Sequence, residues 1–271
     1  RCSLSSQDQG RSIRIVQVTD SHLFAETDGK LLGLETTHSL SKVLDLVRDE
    51  QPVPDFFLCS GDLAQDASVT AYTRFRDMVG EFGAPQYWLP GNHDRREPMA
   101  EVARDCGALT KVIRLGNWQI ILLDTLVPGS VHGYLEQDEL DTLREALTEK
   151  PGLNTLVCFH HQPVPIGSRW LDNLDVKNAD QLLDIIDQHR NIKCVLWGHV
   201  HQEYDDVRKG VRFLATPSTC VQFKTGSEDF KADTLAPGYR WLELKSNGEI
   251  ETGVSRVSGI DFEIDYSVKG Y

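Results

Sequence analysis

Several residues able to bind a metal or carry a proton sit at the ends of short apolar runs in this 271-residue chain. Asp20 and His22 close "IVQVTDSH", Asp62 closes "FFLCSGD", and "YWLPGNHD" supplies Asn92, His93 and Asp94. His160 and His161 follow "LVCF", while His199 and His201 follow "CVLW". If these runs are strands of an α/β sheet, their C-terminal ends are where ligands collect. Carboxylate, imidazole and amide oxygen together suit a divalent ion such as Fe, Mn or Zn. No cysteine takes a ligand-like position, which argues against a structural zinc site. Gly61, Gly91 and Gly198 precede candidate ligands, where a missing side chain lets backbone approach an ion. Asp20 and His22 are two apart, as are His199 and His201, and that spacing puts both members on one side of an extended segment. A lone histidine of this kind is more often a capped turn or a satisfied core residue; five coinciding run ends are a different matter. His38, His132 and His189 lack such context and read as surface or helix residues. Arg95 and Arg96 read as solvated residues opening a helix.

The elements that must position these groups are legible from periodicity. "IRIVQV", "DFFLCS", "PQYWL", "WQIILLD", "NTLVCF" and "KCVLW" read as strands. Between them, "SLSKVLDLV" places Leu40, Val43, Leu44 and Val47 on one helical face, and "EQDELDTLREALTE" does the same with Leu140, Leu143 and Leu147. "VTAYTRFRDMVGEF", "REPMAEVARDC" and "ADQLLDIIDQH" are further helices. After Glu203 the pattern changes to hairpins, "EYDDVRKGVRFLATP" and "YRWLELKSNGEIETGVSRV", with Lys-Gly and Asn-Gly turns. This order predicts an α/β fold with a mixed β-sandwich core and helices outside both sheets. One domain is expected over 1–271, with residues 1–12 disordered and 259–271 forming a tail that acts as a flap or a subunit contact.

Bulk properties narrow the function. The composition, 40% hydrophobic and 25% charged, is that of an ordinary globular chain. No apolar run approaches the roughly 18 residues that span a bilayer. The opening dozen residues have no apolar core to serve as a secretory signal, so a cytoplasmic location is expected. A formal net charge of -13 disfavours a general nucleic-acid surface, which would repel phosphate. "KVIR" and "DDVRKGVR" offer the clustered basic residues and alternate like solvated strand faces. Six cysteines form no C-x-x-C pair, and three lie inside apolar runs, as buried reduced thiols do.

In order, "TDSH", "SGDL", "GNHD", "FHHQP" and "GHVH" resemble the motifs of the calcineurin-like metallophosphoesterase superfamily. "QVTDSHLF", "GDLAQD", "WLPGNHD", "GHVHQE" and "LATPSTCVQF" are similar to its bacterial class III 3′,5′-cyclic-AMP phosphodiesterases, and the resemblance spans about residues 13–245. The protein Ser/Thr phosphatase branch carries a different G-D motif and ends G-N-H-E. Purple acid phosphatases place a tyrosine where this chain has Gln65.

The resemblance implies a four-layer α-β-β-α sandwich and two divalent metal ions, Fe or Mn first, with Zn or Co as alternatives. Asp20, His22, Asp62 and His201 would form one metal site. Asp62, Asn92, His160 and His199 would form the other, with the two oxygens of Asp62 serving both ions. His22, Asp62, Asn92, His93 and His201 would face the substrate. His93 would act as catalytic acid toward the leaving alkoxide, with Asp94 orienting it, and adenine would meet the loop from Trp170 to Asn178. A hydroxide bridging the ions would attack phosphorus, giving 5′-AMP. Two ions, two carboxylates and a hydroxide leave a net charge near plus one, which matches a monoanionic diester. The expected partner is the cyclic nucleotide, with no nucleic acid or membrane, and a homodimer stays open. The alternatives are a phosphodiesterase acting on glycerophosphodiesters or 2′,3′-cyclic nucleotides, and a scaffold that keeps the fold without catalysis.

Overall fold

The computed structural model describes residues 10–270. In chain order the strands and helices are β1 (Ile13–Val18), β2 (Lys30–Leu31), β3 (Leu34–Glu35), α1 (Thr36–Glu50), β4 (Phe56–Cys59), α2 (Val69–Gly80), β5 (Gln86–Trp88) and α3 (Arg96–Ala103). They continue with β6 (Val112–Leu115), β7 (Trp118–Leu122), α4 (Gln137–Glu149), β8 (Asn154–Phe159), α5 (Arg169–Asp172), α6 (Ala179–Gln188) and β9 (Ile192–Trp197). The hairpin strands β10 (Tyr204–Arg208), β11 (Val211–Ala215), β12 (Gly238–Leu244) and β13 (Ile250–Arg256) complete the set.

Period-two alternation builds four layers. Ile15, Phe56 and Leu58 share a cluster with Ile120, Leu122, Leu156, Cys158, Cys194 and Leu196, which is the seam between two sheets. Their chain neighbours point the other way. Val16, Val18, Phe57 and Cys59 pack with Leu40, Val43, Tyr72 and Phe75 of α1 and α2. Ile121, Val157, Phe159 and Val195 pack with Leu140, Leu143, Leu182 and Ile186 of α4 and α6. Central strands buried on both faces read as near-continuous apolar runs, which is why they stood out in the sequence.

The five-stranded sheet runs β13-β12-β1-β4-β5 and the six-stranded sheet β10-β11-β9-β8-β7-β6. β1, β4 and β5 are mutually parallel, as are β7, β8, β9 and β11, so these strands end on a common side within each sheet. The turn at Lys209-Gly210 has positive φ at both residues, the type I′ geometry a two-residue hairpin favours.

Several details depart from expectation. The pair β2-β3 and the one-turn helix α5 lay outside the strands and helices read from periodicity, being too short to show it, while β6 covers most of the alternating "KVIR". Cys106 is exposed, unlike Cys59, Cys158, Cys194 and Cys220, which are buried free thiols. The expected disorder over 1–12 falls largely outside the described residues; Arg11, which is described, pairs with Asp55. The tail folds back on its own chain: Phe262, Ile264 and Val268 pack on the core, and the Asp265 N–H donates to Leu32 O at 2.7 Å.

Candidate metal centre

Each candidate ligand arrives on backbone that has just left its strand and turns sharply. Eight described non-glycine residues have positive φ, and five of them are Asp20, His22, Asp62, His199 and His201, at 47–64°. That region costs an L-residue about 1–2 kcal/mol, so the concentration marks a place the surrounding fold holds against strain. Backbone bonds do the holding. The Asp20 N–H donates to Gly61 O at 3.0 Å, the His22 N–H to Asp62 O at 2.9 Å, and the Gly198 N–H to His160 O at 3.2 Å. The two-residue spacing therefore works differently from expectation. Neither pair lies on extended backbone; both members of each pair are left-handed. Glycine is required beside them, since a Cβ at Gly91 would overlap the Asp62 carboxylate and one at Gly198 the Thr19 hydroxyl.

The side chains converge. His201 Nε2 lies 3.3 Å from Asp20 Oδ1 and 3.2 Å from His22 Nε2. His160 Nε2 lies 3.2 Å from both Asp62 Oδ2 and Asn92 Oδ1. Asp62 Oδ2 is also 3.9 Å from His22 Nε2, so this one oxygen faces both groups. Its Oδ1 instead accepts the His93 N–H at 2.8 Å. The His199 ring stands 5.1 Å from that of His160.

The outer ring nitrogens fix which atom points inward. His160 Nδ1 donates to Ser60 O, and His201 Nδ1 to Val221 O, each at 2.7 Å. His22 Nδ1 lies 2.6 Å from Gln65 Oε1. Carbonyl and amide oxygens only accept, so the protons sit on Nδ1 and the Nε2 lone pairs face the centre, the arrangement of metal-ligating imidazoles. Phe223 stacks on His201 at 4.0 Å with planes 8° apart and holds that ring flat.

The residues fit a cation. Asp20 Oδ1 and His199 Nε2 are buried without a hydrogen-bond partner, an expense proteins seldom tolerate at an empty spot. Burial would raise the carboxylates, but facing histidines outweigh it and hold Asp20 low and Asp62 well below the usual range. Burial depresses His22 to about 3 and pushes His199 well down. His160 is the exception: burial lowers it, yet Asp62 and Asp20 lift it to about 9. Two buried carboxylates thus demand positive charge at the point where the imidazoles meet.

Residues 13–203 match the calcineurin-like phosphoesterase family, which spans most of the chain. The chain belongs to this family. Among its relatives, it is 50% identical to the "3′,5′-cyclic adenosine monophosphate phosphodiesterase CpdA" of Pseudomonas aeruginosa, over 96% of each chain. The protein of the same name from Escherichia coli (strain K12) is 42% identical over 96% of this chain and 95% of that one. A dimetal phosphatase from Danio rerio shares the fold with a TM-score of 0.60 at 14% identity, covering 92% of this chain and all of that one.

Within this phosphoesterase, the expected pairing of Asp94 with His93 needs correction. Asp94 does not hold His93. Its Oδ1 accepts from the Tyr72 hydroxyl (2.8 Å) and the Ala64 N–H (3.2 Å), and its Oδ2 from the Gly91 (2.9 Å) and Leu63 (3.3 Å) N–H groups. Asp94 is a pin that ties the loop of Gly91–Asp94 to the loop of Asp62. Burial and then Asp62 raise it to about 7 against the donors Gly91, Tyr72 and Ala64. Trp170 packs against Phe223 and Phe230, and none of residues 170–178 lines the cavity that opens at Asn92 and His93.

His161 joins the cluster, with its ring 4.6 Å from His199, but Thr125 Oγ1 at 2.7 Å and Val131 O at 3.1 Å occupy both of its nitrogens. It is not free to ligate. Arg96 is exposed, as expected, and is also a bidentate partner of Asp124, at 2.6 and 3.0 Å. Gln65 escaped the sequence reading as a participant, although its place three residues after Asp62 was the available signal. His38 is exposed on α1, while His132 bonds Ser130 and His189 bonds Ile185 O.

Proposed function

We propose that this phosphoesterase hydrolyses 3′,5′-cyclic AMP to 5′-AMP at a centre of two divalent ions, lowering the cellular level of that nucleotide. The observation that carries the reading is the convergence of seven side chains from five strand ends in a chain half identical, over nearly its whole length, to a relative named for that reaction. Asp20, His22, Asp62 and His201 would hold one ion, and Asp62, Asn92, His160 and His199 the other. Asp62 would serve both groups: its Oδ2 faces His22 Nε2 and His160 Nε2, while its Oδ1 accepts the His93 N–H. Iron or manganese suits this oxygen and imidazole set, with zinc or cobalt as substitutes.

When bound, such a pair supplies a nucleophilic hydroxide near neutral pH and takes up charge on the phosphoryl oxygens. The chain's own residues do the rest. Asn92 presents a neutral oxygen that adds no negative charge, keeping the centre matched to a monoanionic diester. His93, half-buried beside His22 with ring centroids 5.0 Å apart, is placed to give a proton to O3′ as the P–O3′ bond breaks and the new P–O bond forms. Intact candidate ligands argue against a non-catalytic scaffold.

The test is turnover by metal-reconstituted protein, followed by HPLC, on 3′,5′-cyclic AMP, 3′,5′-cyclic GMP, 2′,3′-cyclic AMP and glycerophosphocholine. A preference for 3′,5′-cyclic AMP is expected. Preference for either of the last two substrates overturns the assignment in favour of another diester.

A further inference from the structure

A cavity of about 420 Å³ opens directly from Asn92 and His93. That volume lies within the 300–1,000 Å³ of small-molecule sites. Its far wall is the loop after β7, where Leu126 and Pro128 present apolar surface and Gly129 presents none beyond backbone. A clamp holds this wall in place. Besides its two bonds to Asp124, the Arg96 guanidinium donates to Leu126 O at 2.7 Å, and Asp124 Oδ1 accepts the Leu126 N–H at 2.8 Å. The first residue of α3 is thereby tied to the loop opposite, and the charge of Arg96 is spent on Asp124.

We infer that this cavity is the nucleoside subsite, with the purine seated against Leu126 and Pro128. The inference rests on the reaction proposed above, and the chemistry of that reaction decides the side. In-line displacement puts the departing oxygen opposite the attacking one. The proton donor must reach that departing oxygen, so O3′ lies at His93, and the ribose that carries O3′ extends into the space His93 lines. An apolar wall accepts the face of a base, whereas a phosphate or glycerol headgroup gains nothing from it. Arg95 and Glu97 also line the cavity and oppose each other in charge, and Arg96 is paired with Asp124, so the lining has little net positive charge to seat a second phosphate.

The test compares 3′,5′-cyclic AMP with methyl p-nitrophenyl phosphate, a diester without a nucleoside. For wild type, Leu126→Glu and Pro128→Glu, the quantity read is the ratio of kcat/KM values for the two substrates. Pro128 is exposed, so its variant guards against a folding failure at the buried Leu126. Both variants should lower the ratio about ten-fold or more, mainly through KM for the nucleotide. Saturation-transfer NMR with 5′-AMP should show adenine protons in contact with wild type and lose that contact in the variants. An unchanged ratio with retained adenine contact overturns the inference. A wild-type protein that turns over the small diester but shows no preference for 3′,5′-cyclic AMP instead overturns the reaction on which the inference depends.

Discussion

His93 differs from the other histidines of the centre in where its chain attaches. Its backbone N–H binds Asp62 Oδ1, while its neighbours Asn92 and Asp94 are committed elsewhere, to His160 and to the loop amides. Its ring also lies with His22 and Asp62 in a group able to hold an ion, so the proton role proposed for it has to be separated from ligation by experiment. His93→Ala should keep two ions per chain, measured by inductively coupled plasma spectrometry, while kcat falls about 10²–10⁴-fold, the worth of a positioned general acid. Loss of metal in that variant would make His93 a ligand and sink the role. At this scale the sequence was informative about residue type and silent about hydrogen-bond direction. His160 and His161 are adjacent and alike in sequence, and only the capture of both His161 nitrogens by Thr125 and Val131 separates them. Asp94 beside His93 suggested a pair, but a side chain's partner depends on rotamer and on elements distant in sequence.

Helix α2 takes part in the centre without contributing a ligand. Tyr72, fully buried on its inner face, donates its hydroxyl to Asp94 and accepts the Arg95 N–H at 3.1 Å. The loop that carries Asn92 and His93 is thus fastened to α2 through a bond that spans 22 residues of chain, from Tyr72 to Asp94. Tyr72→Phe preserves the ring and its packing but leaves the Arg95 N–H without its acceptor and Asp94 Oδ1 with the Ala64 N–H alone. The expected loss of stability is about 1–3 kcal/mol, the cost of unsatisfied buried groups, read from the urea midpoint. A midpoint unchanged from wild type would show that the loop holds itself. Long strands and helices were readable here because a central strand such as β8 runs continuously apolar and α4 repeats its buried face with the helical period. The short pair β2-β3 and the left-handed turns after β1, β4 and β9 carry no periodic signal. The turns are held by bonds between neighbouring loops, Asp20 to Gly61, His22 to Asp62 and Gly198 to His160, which are distant in sequence.

Across the whole molecule, the centre sits where the two sheets meet. Asp20, Asp62 and Asn92 come from loops after β1, β4 and β5 of one sheet, and His160, His199 and His201 follow β8 and β9 of the other. Element order let the layers be anticipated, but sheet order and the pairing of one sheet's ligands with the other's could not be read locally. A bound ion would then cross-link the two halves of the sandwich, and the strained left-handed residues would be held partly by ligation. Ions that bind only the folded state at about 1,000 times their dissociation constant add about 4 kcal/mol. For a chain of this size each kcal/mol moves the midpoint by about 2 °C, so chelation should lower Tm by about 8 °C. Calorimetry with and without EDTA, followed by manganese titration, checks this. The midpoint should recover and then climb with the logarithm of manganese concentration, as mass action requires. A midpoint indifferent to chelator and metal alike would mean that ligands from the two sheets do not share an ion, and the two-site assignment would fail with it.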